Sequence, residues 1–547
     1  MWVLGINWKR HDSAAALVDG DGRVWALAEE ERFTRVKHAW GTWPALASAF
    51  CLRTAGIAWR DLDAVAVGWD LPAMEPWGDD DTARLYETLF GAEAATGRRP
   101  EIVFVPHHLA HAHSTFHASG FERAGVLVVD GSGEAHATSI YAADRSSGIA
   151  PRRTWPRGYS LGAMYEGATR LLGFGSLDAG KTMGLAPYCE RGAEAAVAFP
   201  DVTGDVAWTD AHGLGADENA SHLEFTGRWR RLLARSAGAV RTPAGQLDQD
   251  PVARRVAGGA QRVVEASMRA LQAETVRLTG HAHLCLAGGV ALNCVANGLL
   301  PEPIYVPPCP HDAGVALGAA WSVCPPARAG LLESAYLGSP IVLDGEPRRL
   351  REEGCTVSEL TLSAVVDLLM DGAIGAIAEG RAEVGPRALG HRSVVAVPRP
   401  AAVRDRINRL KGREPWRPLA PVTLPEFAAR LWPSQGLREL YMVGTATGTD
   451  LARDTMPAAL HVDGSTRPQV LPPGQAPVLE GLLRGLAGAG LPPVLVNTSF
   501  NGPGEPIVDS AADAVAGFQR LGLDFLVLGD QLVQRRRAPL ARAGRDA

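Results

Sequence analysis

The chain has 547 residues. A single hydrophobic core stops growing at roughly 250–300 residues, so we expect at least two domains. Hydrophobic residues make up 46% of the chain and charged residues 21%, with a formal net charge of -6. These values are typical of a soluble globular protein and exclude nucleic-acid binding by bulk charge. The seven cysteines include no Cys-x-x-Cys pair, which fits neither a disulfide framework nor a structural zinc site.

The first residues predict three sequential strands. Residues 3–7, 14–18 and 23–28 are short apolar runs separated by polar and Asp-Gly turns. Helical spacing follows over 43–55. The first strand begins without a basic region followed by an apolar segment and a cleavage site. We therefore expect a cytoplasmic protein that does not contact a membrane.

A second meander follows the same plan. Residues 125–130 predict a strand, a Gly-Ser-Gly turn follows, and 138–142 predict the return strand. An Ala/Arg/Glu-rich stretch over 251–280 has helical spacing and leads into a strand at 284–287. Two similar meanders with helices form a weak internal repeat, and they predict an α/β fold with mixed sheets.

Composition places a domain boundary near residues 336–349, which are rich in glycine, proline and mixed polar residues. A second α/β unit is expected from about Leu360 to Leu532. The last residues, 535–547, are dominated by arginine and alanine, and we expect a frayed tail.

Five histidines occur between residues 107 and 117. On a helix, residues four apart share a face, so His107 and His111 can converge on one metal ion. His113 and His117 have the same spacing and form a rival pair. An aspartate at a strand end would add oxygen ligands, and the candidates are Asp130 and Asp312. Nitrogen with carboxylate suits iron, manganese or zinc. The alternative, histidines packed at an interface, stays open.

Two glycine-containing turns and one lysine predict phosphate binding. The turn at 130–134 and the Gly-Gly turn at 287–293 let backbone N–H groups approach phosphate oxygens. Lys181 lies in a glycine-rich turn that lacks the spacing of a P-loop. The chain otherwise fills basic positions with arginine, and a retained lysine indicates a need for a compact charge. A close-packed turn is the competing interpretation of the Gly-Gly pair.

Cations are concentrated in the second unit, beside glycine and proline turns. They lie in the runs 384–393 and 411–417 and at Arg467. Guanidinium groups bind phosphates and carboxylates in bidentate fashion, so these clusters suit an anionic ligand. A charged, solvated face is the competing interpretation. The polar run 497–501 follows an apolar strand, and ligands commonly bind at such strand ends.

Taken in order, seven motifs over nearly the whole chain resemble the NodU/CmcH family of O-carbamoyltransferases. They are His11-Asp12, the His107/His111 pair, Asp130-Gly-Ser-Gly, Ala287-Gly-Gly-Val-Ala-Leu-Asn, His311-Asp-Ala-Gly, Val384-Gly-Pro-Arg-Ala-Leu-Gly-His-Arg-Ser and Val496-Asn-Thr-Ser-Phe-Asn. The resemblance implies an actin-like, ASKHA-type duplicated domain similar to TsaD over 1–345. It further implies a YrdC-like α/β domain over 351–533, and we expect a disordered tail over 534–547.

The resemblance also implies a mechanism and a set of site residues. The C-terminal domain would make carbamoyl-adenylate from carbamoyl phosphate and ATP with Mg²⁺, and the N-terminal domain would transfer the carbamoyl group to a hydroxyl. The implied metal is Fe²⁺ or another divalent cation, at His107, His111, Asp130 and Asp312. The implied carbamoyl phosphate and ATP site comprises Arg387, Arg392, Lys411, Arg417, Arg467, Asn497 and Ser499. The implied nucleotide site of the N-terminal domain comprises Gly131, Ser132, Gly133, Lys181, Gly288, Gly289 and Asn293. The implied catalytic residues are His11, Asp12 and Lys37.

The expected partners are carbamoyl phosphate, ATP and a hydroxylated small molecule, such as a natural product, and the chain can form a homodimer. Three alternatives remain at this point. Threonylcarbamoyl transfer to tRNA uses the same two domain types, although the acidic balance counts against nucleic acid. An actin-fold sugar kinase would leave the C-terminal cations unexplained. A metal-dependent nucleotide sensor would bind its ligands without turnover.

Overall fold

A computed structural model of the chain describes residues 1–95, 99–190 and 221–535. The strands of this part form three large sheets and one two-stranded ribbon. In chain order the strands are β1 (Trp2–Asn7), β2 (Ala14–Asp19), β3 (Val24–Glu29), β4 (Ala64–Val67), β5 (Glu101–Phe104), β6 (Arg123–Val129), β7 (His136–Asp144), β8 (Gly148–Pro156), β9 (Leu284–Ala287), β10 (Ile304–Tyr305), β11 (Thr356–Glu359), β12 (Gly375–Ala378), β13 (Arg392–Ala396), β14 (Pro421–Thr423), β15 (Ala446–Thr447), β16 (Ser465–Thr466), β17 (Gln469–Val470), β18 (Val494–Ser499), β19 (Phe525–Leu528) and β20 (Gln531–Gln534).

The first two sheets repeat one topology. The first has the order β3-β2-β1-β4-β5, and the second has the order β8-β7-β6-β9-β10. In each, three strands form an antiparallel meander, and two later strands add parallel to the first strand of that meander. The internal repeat and the mixed α/β sheets predicted from sequence are therefore confirmed. The duplication is the arrangement that the actin-like resemblance implies.

The third sheet is built in the C-terminal part of the chain. Its eight strands have the order β11-β20-β19-β12-β13-β18-β14-β17, with parallel and antiparallel neighbours. It spans residues 356–534, close to the limits expected for the second α/β unit. Its likeness to a YrdC domain stays a prediction. The predicted tail lies, from residue 536 onward, outside the described residues.

Helices pack against the sheets. No helix in the described ranges is both long and apolar enough to cross a membrane. The α-helices are Glu30–Thr34, Ala45–Ala55, Leu71–Met74, Asp79–Phe90, His107–Ala118, Leu161–Leu171, Ala179–Leu185, His222–Ala237, Pro251–Thr279, Cys294–Gly298, Asp312–Val323, Glu346–Glu352, Leu362–Met370, Ala402–Leu410, Pro425–Leu431, Asp450–Thr455, Pro477–Gly488 and Ala511–Leu521.

The predicted boundary segment, 336–349, is anchored to both units. The Leu27 N–H group donates to the Leu337 carbonyl over 3.3 Å, and the Gly338 N–H group donates to the Ala382 carbonyl over 2.9 Å. Tyr336 and Leu337 are buried. The start of the segment therefore joins the first sheet to the C-terminal unit, whereas its second half, including Val342 and Arg348, is largely exposed. The division at 345 and 351 itself stays a prediction.

The Asp312–Val323 helix packs against β1 and the His107–Ala118 helix with backbone in contact with backbone. A Cβ atom added to Gly5 would lie 1.9 Å from the Ala316 carbonyl oxygen. One added to Gly318 would lie 1.8 Å from the Ala110 carbonyl oxygen. Only glycine allows such an approach. This packing brings the first turns of the two helices together.

We expect Gly318→Ala to lower the free energy of unfolding by about 1–3 kcal/mol, the usual scale of overpacking in a core. The reason is that backbone atoms of the neighbouring helix stand where the new methyl group would lie. Chemical denaturation measures the change. Gly488→Ala is the matched control, because no heavy atom lies within 4 Å of the position of its Cβ. Equal stability of Gly318→Ala and the parent protein would contradict this packing.

Candidate active site

Two histidines and two aspartates meet where the two helices begin. His107 and His111 lie on one face of the His107–Ala118 helix, Asp130 follows β6, and Asp312 opens the Asp312–Val323 helix. All four are buried, and one potential ligand atom from each lies within 4.8 Å of the others. His107 Nε2 is 3.5 Å from Asp130 Oδ2 and 3.6 Å from Asp312 Oδ1. His111 Nε2 is 3.7 Å from Asp312 Oδ1.

These four side chains fit a divalent cation. Their N–O separations are longer than an ordinary hydrogen bond, and Nε2 of both histidines has no hydrogen-bond partner. His107 Nδ1 lies 3.1 Å from the Gly68 carbonyl oxygen, so this nitrogen carries a proton and Nε2 is the atom left to bind a cation or a second proton. Burial opposes protonation of His107, but Asp312 and Asp130 raise its pKa to about 10. The cluster therefore holds negative charge that a proton or a cation offsets.

The rival histidine pair lies away from these carboxylates. His113 Nδ1 is 3.1 Å from His117 Nε2, and burial lowers the pKa of both rings, to about 4 and about 2. Neither ring belongs to the clusters of possible metal ligands found among the described residues. The sequence pattern alone left the two pairs equivalent. In the folded chain the aspartates stand beside His107 and His111.

The predicted catalytic pair lies next to this cluster. His11 Nδ1 is 3.0 Å from Asp12 Oδ2 and 3.9 Å from Asp312 Oδ2. His38 Nδ1 is 2.8 Å from the other Asp12 oxygen. Asp12 has a φ of 52°, which is rare for a residue other than glycine and indicates a conformation held by its surroundings. Lys37 lines the same cavity.

The two glycine turns approach each other beside Asp130. The Gly289 N–H group donates to Asp130 Oδ1 over 2.9 Å. Gly288 has a φ of 92°, and a Cβ there would lie 2.2 Å from the Val129 carbonyl oxygen, so the turn requires glycine. The predicted nucleotide-site residues that line the cavity are Gly131, Lys181, Gly289 and Asn293.

Three other residues predicted for the nucleotide site, Ser132, Gly133 and Gly288, do not line the cavity. Ser132 Oγ accepts a hydrogen bond from Arg10 over 3.0 Å, and Gly133 packs against His108. Gly288 underlies the turn as described above. These three residues therefore shape the loops and are removed from the set of candidate ligand contacts.

The C-terminal unit supplies the cationic wall. Arg387, Lys411 and Arg417 line the main cavity, while Arg467 and Asn497 line an adjoining cavity, and Ser499 borders both. Nε of Arg387 and Nε of Arg467 are buried without a hydrogen-bond partner. Burial and the charges of Arg467 and Arg417 lower the pKa of Arg387 to about 9. The described residues that line the adjoining cavity include four arginines and no carboxylate, as expected of a site for an anion.

Two predicted members of this site have other roles. Arg392 is fully buried and lines neither cavity, and its guanidinium group donates to backbone carbonyls that include those of Asp509 (3.1 Å) and Ser339 (3.0 Å). Arg392 therefore lies outside both cavities in this structure, and its role in ligand binding stays a prediction. Lys411 Nζ donates to the carbonyls of Ser499 and Asn501 and to Asn501 Oδ1. All three of its protons are engaged, so Lys411 positions the loop after β18.

The main cavity measures about 490 Å³, and the adjoining one about 150 Å³. Both are lined by Arg387, Arg413, Arg417 and Ser499, so the cationic wall lies between two adjacent cavities. The main cavity is bounded on its other side by His11, Asp12, Asp130 and Asp312. The histidine-aspartate cluster and the arginines therefore face one continuous space.

Sequence reasoning missed three groups in this cavity. Arg413 lies within the 411–417 run, so the motif itself could have identified it, and its buried Nε has no partner. His38 and the His222–Glu166 pair carried no sequence signal. His222 Nε2 is 2.6 Å from Glu166 Oε2, yet the two are 56 residues apart. Only the fold brings such residues together.

Comparison with known proteins assigns the family. A model described as carbamoyltransferase N-terminus matches residues 2–77 and 85–321, and one described as carbamoyltransferase C-terminus matches 366–535. Nodulation protein NolNO of Sinorhizobium fredii is 33% identical over 97% of this chain and 80% of its own length. Nodulation protein NolO of Bradyrhizobium diazoefficiens is 35% identical over 79% of each chain.

A further relative is named for its activity. The 3'-hydroxymethylcephem-O-carbamoyltransferase of Amycolatopsis lactamdurans is 33% identical over 259 residues, which cover 46% of this chain and 49% of that protein. The two family models together span most of the chain, and they agree with the family resemblance that the motifs indicate. The chain therefore belongs to the NodU/CmcH carbamoyltransferase family and is a carbamoyltransferase.

Proposed function

We propose that the chain is an ATP-dependent O-carbamoyltransferase that forms carbamoyl-adenylate and transfers its carbamoyl group to a hydroxyl of a small molecule. One observation carries the proposal: the arginines of the C-terminal unit and the His11-Asp12 pair of the N-terminal unit line the same cavity. An intermediate that stays in this cavity is shielded from bulk water.

The proposed reaction uses one water molecule and conserves all atoms. Carbamoyl phosphate and water give carbamate and phosphate. A carbamate oxygen then attacks the α-phosphorus of ATP, supplied as its Mg²⁺ complex, and pyrophosphate leaves. The acceptor hydroxyl attacks the carbamoyl carbon of the adenylate, its proton passes to a base, and the bond from that carbon to the AMP oxygen breaks. Adenylation is needed because AMP is a better leaving group than hydroxide.

Arg387, Arg413, Arg417 and Arg467 are the proposed partners of the phosphate groups. Their guanidinium groups line the two adjacent cavities, and three of them have an unpartnered Nε. Burial and the neighbouring arginines hold the pKa of Arg413 well below its usual value. A polyanionic ligand would relieve this repulsion while forming charge-assisted hydrogen bonds.

His107, His111, Asp130 and Asp312 are the residues that would hold Fe²⁺ or another divalent cation. A mixed nitrogen and carboxylate set suits iron, manganese or zinc. When bound, such an ion offsets charge on phosphate oxygens and polarises the leaving group. The backbone at Gly131 lies beside Asp130 and faces the cavity, where it can approach a phosphate.

His11 is the proposed base for the acceptor hydroxyl, and Asp12 orients its ring. Burial opposes protonation of His11, but Asp312 and Asp12 raise its pKa to about 9. Part of that increase comes from the charge of Asp312. A cation that neutralises Asp312 removes this part and lowers the pKa of His11, so that more of the ring is neutral near neutral pH and available to accept a proton. Lys37 borders the same space and can offset negative charge on the reacting group.

We expect the purified protein to bind about one divalent ion per chain, since the four ligands form a single cluster. His107→Ala and His111→Ala should lose it, because each removes an imidazole ligand. Metal analysis by mass spectrometry measures the ratio. His113→Ala is the matched control, because this histidine lies on the same helix outside the cluster. Full occupancy in both ligand variants would show that the ion binds elsewhere.

The two half-reactions should separate by mutation. Arg417→Ala and Arg467→Ala should slow pyrophosphate release from carbamoyl phosphate and ATP by about 100-fold or more, the scale of losing one preorganised charge partner. His11→Asn should leave this release unchanged, since it removes only the base for the second step. A coupled assay for pyrophosphate, without acceptor, measures the rates.

Arg348→Ala serves as the control, because Arg348 is exposed and pairs only with Glu352 on its own helix. Its pyrophosphate release should equal that of the parent enzyme. Loss of release in His11→Asn, with the metal content preserved, would contradict the division between the two steps.

A further inference from the structure

We propose that the connecting segment, Glu29–His38, couples adenylation to transfer. It does so by holding two loops of the C-terminal wall at a fixed position relative to His11-Asp12. The inference rests on the proposed function. It concerns residues that the reaction scheme leaves unused, chiefly Glu29, Arg32 and Arg35. These are positioning residues, since they act through the loops that they bind.

The first contact is a clamp on one residue of the C-terminal unit. Arg32 Nη2 donates to the Gly385 carbonyl over 2.7 Å, and the Gly385 N–H group donates to Glu29 Oε2 over 3.2 Å. Arg32 and Glu29 also pair with each other at 2.9 Å, and both are buried. The Glu29–Arg32 ion pair of the N-terminal unit therefore binds both the N–H group and the carbonyl oxygen of Gly385.

The Glu29–Arg32 pair holds the turn that comes directly before Arg387. Gly385 has a φ of 89°, and a Cβ there would lie 2.2 Å from the Pro308 carbonyl oxygen, so the turn is confined on its other side as well. Pro386 and Arg387 follow directly and line the cavity. The orientation of an arginine in the proposed adenylation site thus depends on two side chains of the N-terminal unit.

The second contact holds the loop after β18. Arg35 Nη1 donates to the Ile507 carbonyl over 2.8 Å, and Nη2 donates to the Pro506 carbonyl over 3.1 Å. Arg35 Nε lies 3.4 Å from Asp513 Oδ1. Pro506 and Ile507 line the main cavity. One guanidinium group therefore binds this loop at two consecutive carbonyls through the rigid, planar arrangement of its N–H donors.

The other end of the connecting segment reaches the transfer site. His38 Nδ1 lies 2.8 Å from Asp12 Oδ1, and the His38 N–H group donates to Glu31 Oε2 over 2.6 Å. Glu31, Lys37 and His38 all line the cavity. The ten residues of the connecting segment therefore link both C-terminal loops to the Asp12 carboxylate, which orients His11. A displacement of either loop would shift that carboxylate.

The physical consequence is retention of the intermediate. While Arg35 holds the loop, the arginine wall and the His11-Asp12 pair enclose one space, and the adenylate remains there until an acceptor arrives. Without the two hydrogen bonds from Arg35, the 502–507 loop keeps its contacts within the C-terminal unit, such as the Arg520–Glu505 pair, but loses this tie to the N-terminal unit. The loop can then move relative to His11-Asp12. Adenylation then continues, but its product escapes.

Arg35→Ala tests this in the full-length enzyme with carbamoyl phosphate and ATP as the only substrates. The parent enzyme should release about one pyrophosphate per chain in a burst and then slow down, because the adenylate occupies the site. Arg35→Ala should keep the burst and show a steady rate raised about tenfold, the scale expected for losing charge-assisted hydrogen bonds. Arg35→Lys should lie between the two.

Arg406→Ala is the matched control, since Arg406 also donates to a carbonyl, that of Gly372, and pairs with Asp524, away from the cavity. It should behave like the parent enzyme. An unchanged steady rate in Arg35→Ala, or a burst and steady rate that fall together, would overturn the coupling role. If the parent enzyme itself releases no pyrophosphate, the proposed function fails instead, so the two failures are distinguishable.

Discussion

The backbone contact between the Asp312–Val323 helix and its two neighbours is the constraint on which the site depends. Gly5 and Gly318 bring this helix within van der Waals distance of β1 and of the His107–Ala118 helix. The first turns of both helices then converge, and Asp312 faces His107 and His111. Larger residues would separate the helices, and the four-residue cluster would be lost before any of its members changed.

The cavity has opposite charge on its two sides. Buried carboxylates, Asp12, Asp130 and Asp312, lie on the N-terminal side, and the partly buried guanidinium groups of Arg387, Arg413 and Arg417 lie on the C-terminal side. Each group of like charges is unfavourable by itself in a poorly solvated space. A divalent cation on one side and a phosphate-bearing ligand on the other relieve both. This complementarity, more than any single contact, favours the proposed carbamoyl transfer over a sugar kinase. The activity of a sugar kinase would leave the C-terminal arginines unexplained.

Much of the fold, and the histidines of the candidate metal cluster, could be predicted from sequence, because they depend on local patterns. Alternating apolar runs predicted the repeated meanders. The four-residue spacing predicted two candidate histidine pairs, and the family resemblance favoured His107 and His111 over His113 and His117. The pattern could not show that Arg392 donates to carbonyls in the core, since an arginine in a glycine-rich motif looks the same whichever way it points. Nor could it reveal the pairing of Glu29 with Gly385, which joins residues 356 positions apart. Contacts of this kind depend on how the sheets pack.

The two-sided cavity is tested most directly by supplying carbamoyl-adenylate to variants of each side, by rapid mixing, and measuring carbamoyl transfer. This measurement uses an acceptor that the unmodified enzyme carbamoylates. Arg467→Ala should regain transfer, because the supplied intermediate bypasses the step that needs the arginine. His11→Asn should not regain transfer, because the acceptor proton still has no base. Failure of rescue in Arg467→Ala, with its fold and metal content intact, would contradict the assignment of adenylation and transfer to opposite sides of one cavity.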